Sequence, residues 1–202
     1  VRVSTGKAGE FAPLNVAVRA GIVFYQGGRC DPLAFGAVLR PLASAGFHVF
    51  VPRMPLRMAV LGANKAAGVM TTNPQIPRWF MGGHSMGGAM AAGFTCKHQE
   101  KLSGLFLLGS YASRLHAMPD SPLPMLFVHG TKDDQVRQEE IAAQPDRLPP
   151  QTKFVNIEGG DHYQFGSFAD EWVTATISRD EQQRQTVAQV LSFLDAVCSA
   201  DS

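Results

Sequence analysis

The chain is 202 residues long, 45% hydrophobic and 17% charged, with 18 Lys and Arg against 17 Asp and Glu for a formal net charge of +1. At roughly 150 residues per domain, this length gives one domain over residues 1–202 with room for a real core, and the composition excludes disorder and coiled coil. Near-zero net charge removes the electrostatic footprint of a nucleic-acid binder or a polybasic membrane binder, so the expected partner is a small molecule or a protein.

No apolar run approaches the roughly 18 residues that a membrane span needs, and the first residues lack the basic stretch and apolar core of a signal peptide. A soluble, cytoplasmic protein is the expectation, with export of a longer precursor left open because the sequence begins at Val1. Three cysteines, Cys30, Cys96 and Cys198, are an odd number without metal-ligand spacing and are read as free thiols.

Short β-branched and aromatic runs alternate with longer segments of helical period, the pattern of a parallel sheet with helices on both faces. An α/β fold with about six to seven strands is therefore predicted. Phe11 to Val18 could add an edge strand to Gly21–Tyr25, Phe47–Val51, Arg78–Met81, Gly104–Leu108, Met125–Val128 and Lys153–Ile157. Asp31-Pro32 supplies a cap and a proline for a first-turn position, and Gly46 stops the helix that follows. Pro41, late in that helix, should kink or shorten it. The last helix starts at Ser178, where Glu181 completes a capping box ahead of an apolar stripe of Val187, Val190, Leu191 and Leu194.

Between these elements, Gly83-His84-Ser85-Met86-Gly87 matches G-x-S-x-G directly after a predicted strand and directly before a predicted helix. In that setting the pattern describes a nucleophile elbow: the serine sits at strained backbone angles, and only small residues on either side let the chain pass. The helix start behind Ser85 aims free N–H groups at the place where an oxyanion would form, with the amide of Met86 as the natural first donor. The second donor is expected from Gln26-Gly27-Gly28-Arg29 after the first strand, with Gly28 favoured and Arg29 the alternative.

A serine hydroxyl needs a base, and that base needs a carboxylate to fix its tautomer. His129-Gly130-Thr131-Lys132-Asp133-Asp134 and Gly159-Gly160-Asp161-His162 each follow a predicted strand, where open parallel sheets build their sites. The order Ser85, Asp133, His162 is the Ser–acid–His order of one known triad arrangement. Asp134, adjacent to Asp133, and Asp161, adjacent to the base, are the competing acids. His84 and His129 are read as packing or hydrogen-bonding residues, because the mechanism needs no second base. Met54, Met58, Met86 and Met118 read equally as a flexible apolar pocket or as core filling. Arg29, Arg53, Arg57 and Arg114 read as solvated surface residues in preference to holders of a substrate carboxylate.

On these motifs the chain resembles the α/β-hydrolases, and more narrowly a compact, lidless, carboxylesterase-like group. The resemblance is carried by Phe24 to Pro32, Val51 to Leu56, Gly82 to Ala89 and Glu158 to Gly166, and runs from about Gly21 to Leu194. It implies an α/β-hydrolase fold without a lid domain, Ser85 as nucleophile, His162 as base, and the acid of a G-x-x-D-x-x-V pattern at Asp133. Gln26 and Cys30 depart from the proline and aliphatic residue such relatives often carry there.

The reaction expected is hydrolysis of small carboxylic esters by a serine carboxylesterase through an acyl-enzyme, with no metal or organic cofactor. Arg29, Met54, Leu56, Met58 and Phe165 are the candidates for lining the substrate pocket. About fifteen residues separate Leu108 from Leu123, too few for a helical lid, so an open site is expected. The alternatives are a binding or receptor module that has lost turnover, and a thioesterase, peptidase or lyase on the same three residues. Oligomeric state is left open.

Overall fold

The apolar runs become strands buried along their whole length: β3 (Ala20–Tyr25), β5 (Trp79–His84), β6 (Gly104–Leu108) and β7 (Met125–Gly130). With β1 (Arg2–Ser4), β2 (Ala8–Ala12), β4 (Phe47–Pro52) and β8 (Lys153–Ile157) they form one sheet in the order β1-β2-β4-β3-β5-β6-β7-β8. This computed structural model describes residues 1–4, 6, 8–169 and 172–200. From β4 to β8 the neighbours are parallel, while β1 and β2 run antiparallel at one edge.

The fold class is as predicted, but the sheet has eight strands among the described residues, and the difference lies at that edge. The strand there, β2, lies one in from the edge strand β1, ends at Ala12, and so overlaps the expected Phe11 to Val18 strand only at Phe11 and Ala12. Pro13 has no N–H to give a ladder, and Asn15 turns the chain with a φ of 61°. β5 and β7 each run two or three residues further than their apolar runs, because Gly82, Gly83 and His84 stay paired with β6 and His129 and Gly130 with β8.

Asp31 accepts the Leu33 N–H at 2.9 Å and opens a 3-10 turn (Pro32–Phe35) that leads into α1 (Gly36–Ser44), which contains Pro41 and is followed by Gly46 at φ 96°. Next come α2 (Lys65–Thr71), α3 (Ser85–Lys97), α4 (Gln138–Ala142), α5 (Gln144–Arg147) and α6 (Arg179–Ala200). Half of the expected α6 capping box forms: Glu181 N–H donates to Ser178 Oγ at 3.2 Å, while the Glu181 carboxylate accepts from Arg184 and Gln185 instead. On one face of the sheet, Phe24, Phe80 and Phe106 meet Val38 and Leu39 of α1 and Val190, Phe193 and Leu194 of α6. On the other, Tyr25, Met81 and Phe127 share a second core with Ala66 of α2 and Ala91, Ala92 and Phe94 of α3. Between β6 and β7 only a 3-10 turn (Arg114–His116) is present, so no helical lid lies there. Among the described residues no helix is long and apolar enough to cross a membrane.

The centre of the sheet is packed to the limit at Gly82, where a Cβ would sit 2.2 Å from Phe106 Cζ. Overpacking of this kind costs about 1–3 kcal/mol. Gly82→Ala is therefore expected to lower the urea midpoint, and adding Phe106→Leu should return part of the loss, so that the double-mutant cycle shows coupling. Strictly additive midpoints would contradict this packing account.

Candidate active site

The site is built where β3, β5, β7 and β8 end on the same side of the sheet. Ser85 follows β5 and starts α3 with a φ of 54°, a left-handed conformation that costs an L-residue about 1–3 kcal/mol. The geometry is possible because its flanking glycines carry no side chain. A Cβ on Gly87 would fall 2.2 Å from the carbonyl oxygens of both Tyr25 and Gln26, and one on Gly83 would fall 2.7 Å from Gly88 N. Ser110 Oγ donates to the Ser85 carbonyl at 2.7 Å and so fastens the turn to the end of β6.

Ser85 Oγ lies 2.9 Å from His162 Nε2, and His162 Nδ1 lies 2.9 Å from Asp133 Oδ2. The structure thus brings together the three residues named from the sequence, from loops 77 and 29 positions apart. Oxygen Oδ1 of Asp133 is occupied separately by the N–H groups of Gln135 at 2.9 Å and Val136 at 3.1 Å, which leaves Oδ2 for the imidazole. Burial pushes the Asp133 carboxyl up, but the His162 hydrogen bond and charge, together with the two amides, outweigh it and hold the group below its ordinary value.

The two competing acids are employed elsewhere. Asp134 is exposed and takes the Gln135 side-chain amide at 2.8 Å. Asp161 is fully buried and accepts four backbone N–H groups: Oδ1 from Tyr163 and Gln164, Oδ2 from Thr174 and Ala175. Its own backbone is gripped by the Gln182 carboxamide of α6, which accepts from Asp161 N at 2.9 Å and donates to Asp161 O at 2.7 Å. Asp161 and Gln182 therefore shape the loop that presents His162.

Two more histidines lie beside this pair. His129 is buried with Nδ1 3.7 Å from Asp133 Oδ2, beyond hydrogen-bond length. His84 donates through Nε2 to the His162 carbonyl at 2.9 Å. Burial, reinforced by the nearby His162, pushes His84 down to about 3, and burial likewise lowers His129 against the pull of Asp133.

A cavity of about 420 Å³ opens beside Ser85 and His162, walled by Val60, Met86, Met90, Tyr111, Gln135 and Val136. Of the pocket residues expected from sequence, none except Met86 of the methionine group lines it. Phe165 is completely buried and packs in the core behind the site. Met54 is also core, with its sulfur 2.7 Å from where a Gly62 Cβ would stand. Leu56 is exposed and, with Met54, borders a separate cavity of about 340 Å³. Arg29 is an exposed left-handed residue whose N–H is taken by the Arg57 carbonyl at 2.9 Å, which removes it as an alternative oxyanion donor. Met58 packs beside Gly28 together with Met86. Arg53, Arg57 and Arg114 are exposed, and Arg53 and Arg57 also line that second cavity. The wall residues Val60, Met90, Tyr111 and Gln135 come from four separate segments and carry no common sequence signal.

Gly28 and Met86 adjoin one another: a Cβ on Gly28 would stand 3.2 Å from Met86 Cε. Met86 also occupies the first turn of α3, where backbone N–H groups have no partner within the helix. Among the described residues, no group of three or more His, Cys, Asp or Glu side chains is arranged to hold a metal ion. The three cysteines are free thiols.

This architecture, a mostly parallel sheet with a serine on a left-handed strand-to-helix turn, defines an α/β-hydrolase fold. The model of the alpha/beta hydrolase family matches residues 21–185, and the chain belongs to that family. Solved structures share the fold at low identity. Est1E from Butyrivibrio proteoclasticus with ferulic acid bound superposes with a TM-score of 0.70 at 13% identity, over 96% of this chain and 98% of that one. Acyl-protein thioesterase 2 from Zea mays gives 0.69 at 18% identity over 96% and 100%, and a predicted CIB-like hydrolase from Thermoplasma acidophilum gives 0.69 at 16% over 93% and 95%. No curated protein sequence matches the chain.

The buried histidines and the acid set a pH dependence of stability. Unfolded, His84 takes a proton below its ordinary 6.5; folded, it does not until about 3, so the unfolded state binds more protons between those values. Stability falls with falling pH across that window at roughly 1.4 kcal/mol per pH unit for each such proton. His129 has the same sign, and the stabilisation from Asp133 is present above its unfolded value and lost as pH drops through its lower folded one. Urea midpoints should therefore decline from pH 6.5 to 4, with a shallower decline in His84→Gln. Equal slopes for the two proteins would count against a neutral buried His84.

Proposed function

We propose that the protein is a serine hydrolase that cleaves small carboxylic esters through an acyl-enzyme. The observation that carries this reading is the unbroken hydrogen-bond chain from Ser85 Oγ through His162 to Asp133, at 2.9 Å in both links. In the first half-reaction His162 Nε2 takes the Ser85 proton as Oγ attacks the ester carbonyl. Asp133 Oδ2 accepts the Nδ1–H throughout and faces the positive charge that forms on the ring. The tetrahedral oxyanion is held by the backbone N–H groups of Met86 and Gly28. Collapse breaks the bond to the alcohol, which leaves with the proton from His162 Nε2, and the acyl group stays on Ser85. In the second half-reaction His162 deprotonates a water, the water adds to the acyl carbonyl, and Ser85 departs with its proton restored as the acid is released.

Substrate size follows from the walls. The cavity is mostly apolar and uncovered, with Val60, Met90, Tyr111 and Val136 around it, which suits short or compact acyl groups over long chains needing an enclosed tunnel. Supporting the ester reading, one fold relative is bound to ferulic acid and another is described as an esterase domain from Rhodothermus marinus. The thioesterase from Zea mays keeps acyl transfer from a thioester, with a thiol as the leaving group, within the same chemistry.

A fluorophosphonate probe should label the wild-type protein and not Ser85→Ala, and p-nitrophenyl acetate turnover should vanish in that variant while its melting temperature barely changes. Activity within about tenfold of the parent would remove Ser85 as nucleophile, and a folded wild-type protein that resists the probe would favour a non-catalytic binding module. For the acid, Asp133→Asn should lower kcat by roughly 10³- to 10⁴-fold through loss of the imidazole tautomer, whereas Asp134→Asn should cost less than about tenfold. The reverse ranking would move the acid by one residue.

A further inference from the structure

His84 immediately precedes the proposed nucleophile, yet its side chain is spent on the base. Its ring is 2% exposed, lies 4.6 Å centroid to centroid from the His162 ring, and is enclosed by Phe35, Phe165 and Phe168 at 5.3, 5.8 and 6.3 Å. Nε2 meets the His162 backbone carbonyl at 2.9 Å, and a carbonyl can only accept, so Nε2 must carry the proton. The other nitrogen, Nδ1, has no hydrogen-bond partner among the described residues and abuts Gly27, where a Cβ would come within 2.8 Å. One imidazole thus touches the elbow, the loop of the base and the loop of the second oxyanion donor.

We infer that His84 is a positioning residue for the reaction proposed above, its Nε2–H holding the His162 carbonyl so that the imidazole of His162 is kept in line between Ser85 Oγ and Asp133 Oδ2. The inference rests on that reaction. The side chain of His162 has two torsions with which to satisfy two partners at 2.9 Å, so the placement of its backbone decides whether both bonds can form at once. A misplacement of about 1 Å costs up to roughly 10²-fold in rate. Neutrality suits the role. The imidazolium that forms on His162 during the reaction stands beside this ring, and a second cation there would oppose it; burial keeps His84 uncharged.

The test compares His84→Phe, which fills the aromatic enclosure but has no donor, with His84→Gln, whose side-chain N–H can reach the same carbonyl. On p-nitrophenyl acetate, His84→Phe is expected to lose roughly 10- to 100-fold in kcat with KM within about twofold, and His84→Gln to stay within about threefold of the parent. Unchanged kcat in His84→Phe, or equal loss in both variants, would overturn the role. Nitrogen-15 NMR of the wild-type imidazoles decides the matter if His84→Phe does not fold: a neutral Nε2–H tautomer with a hydrogen-bonded proton is expected at pH 7, and an Nδ1–H tautomer or a charged ring would overturn it. Ser85→Ala assayed alongside separates the two levels. Full turnover there removes the reaction and the positioning role with it, whereas loss there with an unaffected His84→Phe removes the positioning role alone.

Discussion

Everything in this site depends on how closely the first turn of α3 approaches the end of β3. The contact is backbone on backbone, with the space for a Gly87 side chain already taken by the carbonyls of Tyr25 and Gln26. That approach sets the helix start directly over the strand ends, forces Ser85 into its left-handed conformation, and brings Gly28 beside Met86. The strain at Ser85 is sustained because the turn is held from several sides: β5 is paired on both edges, and Ser110 fixes the Ser85 carbonyl. In the proposed reaction the same contact supplies both the raised nucleophile and the two amides that face the oxyanion. A single steric condition therefore couples fold and chemistry.

A second constraint is electrostatic. Three buried histidines, His84, His129 and His162, lie close together, two of them beside the Asp133 carboxylate, and if all were cationic their repulsion would be costly in so dry a place. Burial holds His84 and His129 low, and Asp133 is hydrogen-bonded to one imidazole, His162, while its other oxygen is satisfied by amides. The neighbouring carboxylate, Asp161, is withdrawn from this set by four backbone N–H groups. Two carboxylates close to one histidine thus receive different tasks, one facing the ring and the other folding the loop.

What could be read from the sequence was what local chemistry encodes. Glycines at fixed spacing around Ser85, a strand before it and a helix after it report a turn whose sterics are the same in any surrounding fold, and the α6 cap at Ser178 and the Gly46 stop are local in the same way. Asp133 and His162 were legible because strand ends in a parallel sheet converge on one side. The cavity wall was not legible, since an apolar side chain after a strand can face solvent, core or substrate with the same composition. Phe165 and Met54 went into the core, while Val60 and Met90 reached the cavity from segments whose relative placement is a tertiary fact. Gln182 was missed for a related reason: a glutamine beside an apolar helical stripe reads as surface until its partner, the Asp161 backbone, is known. The edge of the sheet departs from the Phe11 to Val18 expectation because Pro13, which has no N–H to give a ladder, follows the end of β2 at Ala12.

The division between wall and machinery bears on how substrate preference is set. Ser85, His162 and Asp133 hang on strand ends and are bound to one another, whereas Val60 and Met90 touch the cavity without joining any of those hydrogen bonds. In the proposed reaction, changes of volume at Val60 or Met90 would therefore alter the acyl group accepted while leaving the geometry of proton transfer intact. Met86 is different, because in the proposed reaction its N–H serves the oxyanion while its side chain lines the cavity and packs against Gly28. The peptide N–H survives any substitution at this position except proline, but the packing that keeps the Gly28 loop beside it does not. At Met86, then, cavity size and the proposed oxyanion geometry change together, so in the proposed reaction a wider cavity made there carries a catalytic cost.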